Sequence, residues 1–184
     1  VDRVVKFIET FCRHTQGDQA GKPFTLLDWQ REEVIAPLYG WYTPEGNRRF
    51  RSSAIWISKK NGKSTLISAL CCYELIAAGE MGANVFSAAN DRYQAGIVAR
   101  SMIGMLKMIP ALLKHVEIVE SRNSVLHRAR NSRYTVLSAD AHRAEGIDAS
   151  FCVVDEIHSM PNDKLFRALK YATAARTNPL FISI

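Results

Sequence analysis

The sequence contains no apolar run long enough to span a bilayer and no signal-peptide pattern at its start, so a membrane-embedded or secreted protein is not expected. Cysteine is sparse, with four in 184 residues: Cys12, Cys71, Cys72 and Cys152. None has zinc-type spacing, and three fall in apolar segments. Reduced, buried thiols in a cytosolic protein are therefore expected rather than disulfides or a metal knot. The chain is also not polar enough to be disordered, since 47% of it is hydrophobic. The net charge of +6 is compatible with a nucleic-acid partner, but many domains without such a partner are equally basic. The length suits one domain with a substantial core. The first residue is Val1, so the natural N-terminus is expected to be missing or processed.

Hydrophobic periodicity then organises the chain. Val4, Val5, Ile8, Phe11 and Cys12 stand at helical spacing over residues 2–13. A second helix is expected from Asp28, read as its cap, to about Ala36, with Pro37, Gly40, Pro44 and Gly46 marking a loop. Strands are expected over 53–58, 84–89, 117–119, 124–127, 134–138, 151–154 and 180–184. Helices are expected from Lys63 to Ala78, from Asp91 to Met108 and over 162–174. The helix after Lys63 is apolar on nearly every side, as a helix packed centrally on a sheet would be. Strands alternating with helices predict an α/β fold: a mostly parallel central sheet with helices on both faces.

Two stretches carry chemistry. Ile55-Trp56-Ile57-Ser58-Lys59-Lys60-Asn61-Gly62-Lys63-Ser64-Thr65 is an apolar strand running into a loop and then a helix. Gly62 lets the backbone curl close to phosphates, Lys63 can reach β- and γ-phosphate oxygens, and Ser64 can ligate Mg²⁺. The usual phosphate-loop pattern has a Gly five residues before Gly62, where this chain has Ile57. The second stretch, Phe151-Cys152-Val153-Val154-Asp155-Glu156, is an uncharged strand ending in two carboxylates. Asp155 is placed to hold the metal, directly or through water, and Glu156 to polarise an attacking water as general base. Both stretches end where open α/β sheets bind ligands, at the carboxyl ends of strands. Together they imply a site that binds and hydrolyses a nucleoside triphosphate.

These residues resemble the ATPase domain of the large terminase subunit of tailed bacteriophages, over nearly the whole chain. Phe24-Thr25-Leu26-Leu27-Asp28-Trp29-Gln30 is similar to that family's adenine-side motif. Lys59 to Thr65 is similar to its deviant phosphate loop, which often lacks the first Gly. Val153-Val154-Asp155-Glu156-Ile157-His158 is similar to its metal and base motif. Phe181-Ile182-Ser183 is similar to the start of its coupling motif, without the Thr that usually follows. The resemblance implies the P-loop NTPase fold of the additional-strand type, with ATP and Mg²⁺ as cofactors. It implies Lys63, Glu156 and Arg143 as catalytic residues, Arg143 being the Arg supplied to a neighbour's γ-phosphate, with a surface Arg on a loop as the alternative. Trp29, Gln30, Lys59, Lys60, Asn61, Gly62, Lys63, Ser64 and Thr65 would bind nucleotide, with Ser64 and Asp155 on the metal. Lys59 stands where the family often has an Arg and cannot form its bidentate fork. The implied role is a motor that packages double-stranded DNA into a procapsid in the host cytoplasm. It would work as a ring of copies of itself, with a portal protein and a small terminase subunit. Residues 1–184 are expected to form a single motor domain, with a nuclease domain beyond residue 184.

Two alternatives stand beside this reading. Asp155-Glu156-Ile157-His158 also fits the Asp-Glu-x-His box of superfamily 2 helicases, with Gln30 as an upstream glutamine. The same fold could also serve as a non-catalytic nucleic-acid-binding module. Arg122, Arg128, Arg130 and Arg133 read as a basic cluster around a hairpin, facing DNA phosphates, solvent or another subunit. His158 is read as structural or coupling rather than as a ligand.

Overall fold

The computed structural model describes residues 1–58, 60–138, 147–160 and 162–184, and of residue 92 the backbone. Seven strands form one sheet: β1 (Ser52–Ala54), β2 (Asn84–Ala89), β3 (Glu117–Val119), β4 (Ser124–His127), β5 (Ser132–Ser138), β6 (Phe151–Val154) and β7 (Leu180–Ser183). Their order across the sheet is β1-β7-β6-β2-β5-β4-β3. From β1 to β5 every pairing is parallel, and β4 and β3 close one side as an antiparallel meander. β7 therefore lies between the strand that leads into the phosphate loop and the strand that ends in the two carboxylates, as the additional-strand fold requires.

The central strands read as continuous apolar runs because both faces are covered. Side chains alternate between two cores. Val85, Phe151, Val153, Leu180 and Ile182 face a core shared with α1 (Asp2–Phe11), α3 (Lys63–Ile76) and α4 (Arg92–Met108). Phe86, Ala88, Cys152, Val154 and Phe181 face the other core, filled by Leu165, Leu169 and Ala172 of α6 (Lys164–Ala172). Leu66 to Leu75 of α3 are buried without a break, which explains its lack of a polar face. The stripe Met102, Ile103, Met105 and Leu106 is core. All four cysteines are buried free thiols. No helix among the described residues is long and apolar enough to cross a membrane.

Several boundaries differ from the sequence expectation. The first strand ends at Ala54 rather than residue 58, since only Ile55 extends the ladder, donating its N–H to the Ser183 carbonyl at 2.9 Å. The second helix does not stop at Pro37. It runs through a π-helical segment, Gln30–Ile35, into α2 (Ala36–Gly40), where Pro37 sits in a first turn that needs no N–H from it. Asp28 does not cap it. Instead the Gln30 side-chain oxygen accepts the Leu27 N–H at 3.0 Å, half of a capping box. The arginine cluster divides: Arg122 lies in the β3–β4 turn, whereas Arg128 and Arg130 lie in the β4–β5 turn at the opposite end of the antiparallel strands. α4 starts as expected, with Asp91 accepting the Gln94 N–H at 2.9 Å. The short α5 (Pro110–Leu113) follows it.

Candidate nucleotide-binding site

The site lies at the carboxyl ends of β1, β6 and β7. After Ser58 the chain turns through Lys60 (φ 68) and Gly62 (φ 74), both left-handed, and enters α3 at Lys63. Gly62 is the residue type that adopts this conformation without a Cβ penalty; at Lys60 the loop holds a side chain in it. The Asn61 amide donates to the Ser58 carbonyl (3.2 Å) and hydroxyl (2.6 Å), closing the loop on itself. The first N–H groups of α3 have no partner within the helix and carry its positive dipole end. Lys63, Ser64 and Thr65, on this first turn, are half-buried.

Opposite the loop, β6 delivers its two carboxylates into different surroundings. Asp155 is 5% exposed, its N–H held by the Ala88 carbonyl at 2.8 Å. Burial pushes its carboxyl above the ordinary aspartate range, and the Lys63 cation and the neighbouring Glu156 act against and with that rise respectively. Its Oδ1 is buried with no hydrogen-bond partner among the described residues. An orphaned hard oxygen beside the phosphate loop is what a Mg²⁺ ion or its water shell would satisfy. No group of three His, Cys, Asp or Glu gathers among the described residues, so a cation here would depend on Asp155, Ser64, phosphate oxygens and water.

Glu156 takes a left-handed backbone, φ 52 and ψ 48, at a cost of about 1–2 kcal/mol for a residue with a Cβ. Its Oε1 accepts from Lys63 Nζ at 2.8 Å, and its Oε2 lies 3.3 Å from His158 Nε2. The structure thus brings together Lys63 and Glu156, ninety-three residues apart in the sequence.

Gln30 is fully buried. Because its oxygen caps Leu27, its amide nitrogen is left to donate, and that nitrogen has no partner among the described residues. It faces the phosphate loop, where a Cβ added at Gly62 would stand 3.6 Å from it. Glu9 of α1 secures this segment by accepting the Leu26 N–H at 3.0 Å and pairing with the Arg31 guanidinium. Trp29 is half-buried and packs on the main core. Lys59 and Arg143 lie outside the described residues.

A cavity of about 370 Å³ opens beside the Lys63–Glu156 pair, lined among others by Trp56, Ile57, His158, Ser183 and Ile184. Trp56 is 85% exposed. Sequence reasoning placed it in an apolar strand and so missed it. The early end of β1 turns it outward, and no sequence signal marks that end.

A parallel sheet with one strand between the phosphate-loop strand and the carboxylate strand, and with these side chains at their tips, defines a P-loop ATPase-type domain. Comparisons with known proteins agree. The family model described as the ATPase domain of the terminase large subunit matches residues 28–184. The large terminase subunit of Enterobacteria phage HK97 is 30% identical over 186 aligned positions, covering 100% of this chain and 36% of that protein. The crystal structure of the HK97 large terminase superposes with a TM-score of 0.85 at 29% identity, over 100% of this chain and 37% of the other. The ATPase domain of the Thermus phage P74-26 large terminase shares the fold: TM-score 0.59, 20% identity, 83% of this chain and 68% of the other. So does the large terminase of a thermophilic bacteriophage in its complex with ADP: TM-score 0.52, 13% identity, 72% of this chain and 33% of the other. The chain belongs to the family of terminase large subunit ATPase domains. It spans little more than a third of the length of its HK97 relative.

Proposed function

We propose that this domain binds Mg²⁺-ATP and hydrolyses it to drive double-stranded viral DNA into a procapsid. The observation that carries the reading is the 2.8 Å contact between Lys63 Nζ and Glu156 Oε1 at the mouth of the phosphate loop. A lysine and a carboxylate held this close can act on the same terminal phosphate. Lys63 would move to the β- and γ-phosphate oxygens and balance their charge. Glu156 would orient a water for in-line attack and accept its proton. Ser64 and Asp155 would hold Mg²⁺, which neutralises charge on the bridging and terminal phosphates when bound. Gln30, with its amide nitrogen free to donate, would read an acceptor on the adenine edge, with Trp29 flanking the base. Lys59, Lys60, Asn61, Gly62 and Thr65 complete the phosphate cradle. A large terminase of a thermophilic bacteriophage with this fold has been solved in complex with ADP, in keeping with a nucleotide ligand.

Arg143, contributed by a neighbouring copy in a ring, would add positive charge to the transition state. The portal protein and a small terminase subunit are the expected assembly partners, and the basic net charge suits a DNA track. Membership of the terminase family decides against the helicase reading of the Asp155-Glu156-Ile157-His158 box. Calorimetry with Mg²⁺-ATP on the natural protein and on Lys63→Ala tests the proposal. Micromolar to submillimolar binding that Lys63→Ala weakens at least tenfold is expected. A folded protein that binds no ATP at millimolar concentration would leave the domain a scaffold.

A further inference from the structure

Each Glu156 oxygen has a nitrogen close by, and the two contacts differ in what nucleotide would do to them. Lys63 Nζ meets Oε1 at 2.8 Å. A triphosphate, carrying several negative charges, draws that ammonium away, because the lysine has to serve the β- and γ-phosphates. His158 Nε2, 3.3 Å from Oε2, is under no such pull. Its position follows from the turn after β6. The N–H and hydroxyl of Ser159 both donate to the Glu156 carbonyl, at 2.9 and 2.8 Å, closing one tight turn. The Ile157 N–H is anchored on the Ile184 carbonyl at 3.2 Å. This turn brings residue 158 back beside residue 156, and the left-handed backbone of Glu156 sends its carboxylate between His158 and Lys63. A carboxylate that loses its lysine at the moment it has to align a water keeps its direction through the contacts that remain, His158 among them.

We propose that His158 is a positioning residue for the general base: it keeps the Glu156 carboxylate aimed once ATP has taken Lys63. The inference rests on the hydrolytic reading above, and goes beyond it by giving His158 a specific task. Because it acts through the Glu156 carboxylate, His158 bears on the rate of hydrolysis rather than on nucleotide affinity. Its 69% side-chain exposure means that little packing is lost when it is changed. Glutamine can place an amide nitrogen where the imidazole Nε2 now lies, whereas leucine fills the space and donates nothing.

The experiment compares the natural full-length protein with His158→Leu, His158→Gln, Glu156→Gln and the double variant His158→Leu/Glu156→Gln. Each is measured for Mg²⁺-ATP affinity by fluorescent nucleotide titration and for single-turnover hydrolysis at saturating ATP. His158→Leu should hydrolyse about tenfold more slowly with affinity within about twofold of the natural protein, and His158→Gln should recover most of the rate. In the Glu156→Gln background, His158→Leu should add no further loss, since its effect passes through the carboxylate. Unchanged hydrolysis in His158→Leu overturns the proposal, and so does a loss that glutamine leaves unrepaired. A further drop in the double variant also overturns it, because His158 would then act independently of Glu156. If Glu156→Gln itself hydrolyses normally, or no variant binds ATP, the parent reading of the site fails instead.

Discussion

The domain holds two cation–carboxylate pairs that look alike on paper and differ in everything around them. Lys63–Glu156 sits at the phosphate loop, with side chains 18% and 25% exposed. Arg48–Glu74, at 3.2 Å, ties the segment before β1 to the far end of α3, with side chains 11% and 7% exposed. Arg48 is fully engaged: its Nη1 donates to the Leu38 carbonyl at 2.8 Å and its guanidinium lies 4.6 Å over the Tyr39 ring. Its backbone N–H is also taken, by Asn178 at 2.8 Å. The Lys63 pair instead stands among loose ends, with Asp155 Oδ1 and Gln30 Nε2 both buried and unbonded among the described residues. A pair whose cation is held at once by a backbone carbonyl, a carboxylate and a ring ties a fold together. A pair among unsatisfied groups is arranged for something still to arrive.

The sharpest break of this comparison is Glu156→Gln. Single-turnover ATP hydrolysis should fall about 10²–10⁴-fold while nucleotide binding persists. Undiminished turnover would deny the pair its catalytic half. Next in size, Arg48→Met leaves Glu74 buried without its cation and should cost about 3–5 kcal/mol in urea unfolding. Lys63→Met, with its pair partly in water, should change stability by less than about 1 kcal/mol. Similar losses from both would erase the distinction between them. Gly62→Ala should cost about 1–2 kcal/mol in the same unfolding series, through its left-handed φ of 74 rather than through a clash. The smallest effect is a pH dependence. Burial pushes the Glu74 carboxyl above its ordinary value despite the opposing pull of Arg48. Between the ordinary and the raised value the folded state keeps a proton that the unfolded chain has lost, so stability should decline as pH rises through that window and level off above it. Glu74→Gln should remove this slope, and a slope of the opposite sign in the natural protein would contradict the assignment.

Much of this architecture was legible in the sequence, for identifiable reasons. Uncharged runs such as Phe151 to Val154 mark strands covered on both faces, and the unbroken apolar character of α3 marks a helix buried all round. The phosphate loop and the Asp155-Glu156 tip were legible because phosphate and metal chemistry admits few residue types at such spacings. What escaped was set by tertiary context. Pro37 looked like a stop, but the π-helical segment ahead of it reset the helix. Trp56 looked like core until β1 ended two residues before it. Four arginines close in sequence looked like one patch, yet a reversal of chain direction sends them to opposite ends of the sheet. The capping task of the Gln30 oxygen and the contact of His158 with Glu156 depend on side-chain directions that no local pattern encodes.

The position of β7 also bears on how the domain comes into being. Among the described residues β1 pairs with β7 alone, in the register Ser52 with Phe181. The pairings of β2 with β5, β5 with β4 and β4 with β3 each close within about fifty residues of chain, but the phosphate-loop strand waits for a partner nearly 130 residues downstream. Contacts that distant are slow to form, because loop closure precedes any gain from them. On the ribosome, the half-sheet around β2 can assemble while β1 and its loop have nowhere to dock. The loop that bears Lys63 would thus find its place in the sheet only after β7 has been made, later than the half-sheet around β2.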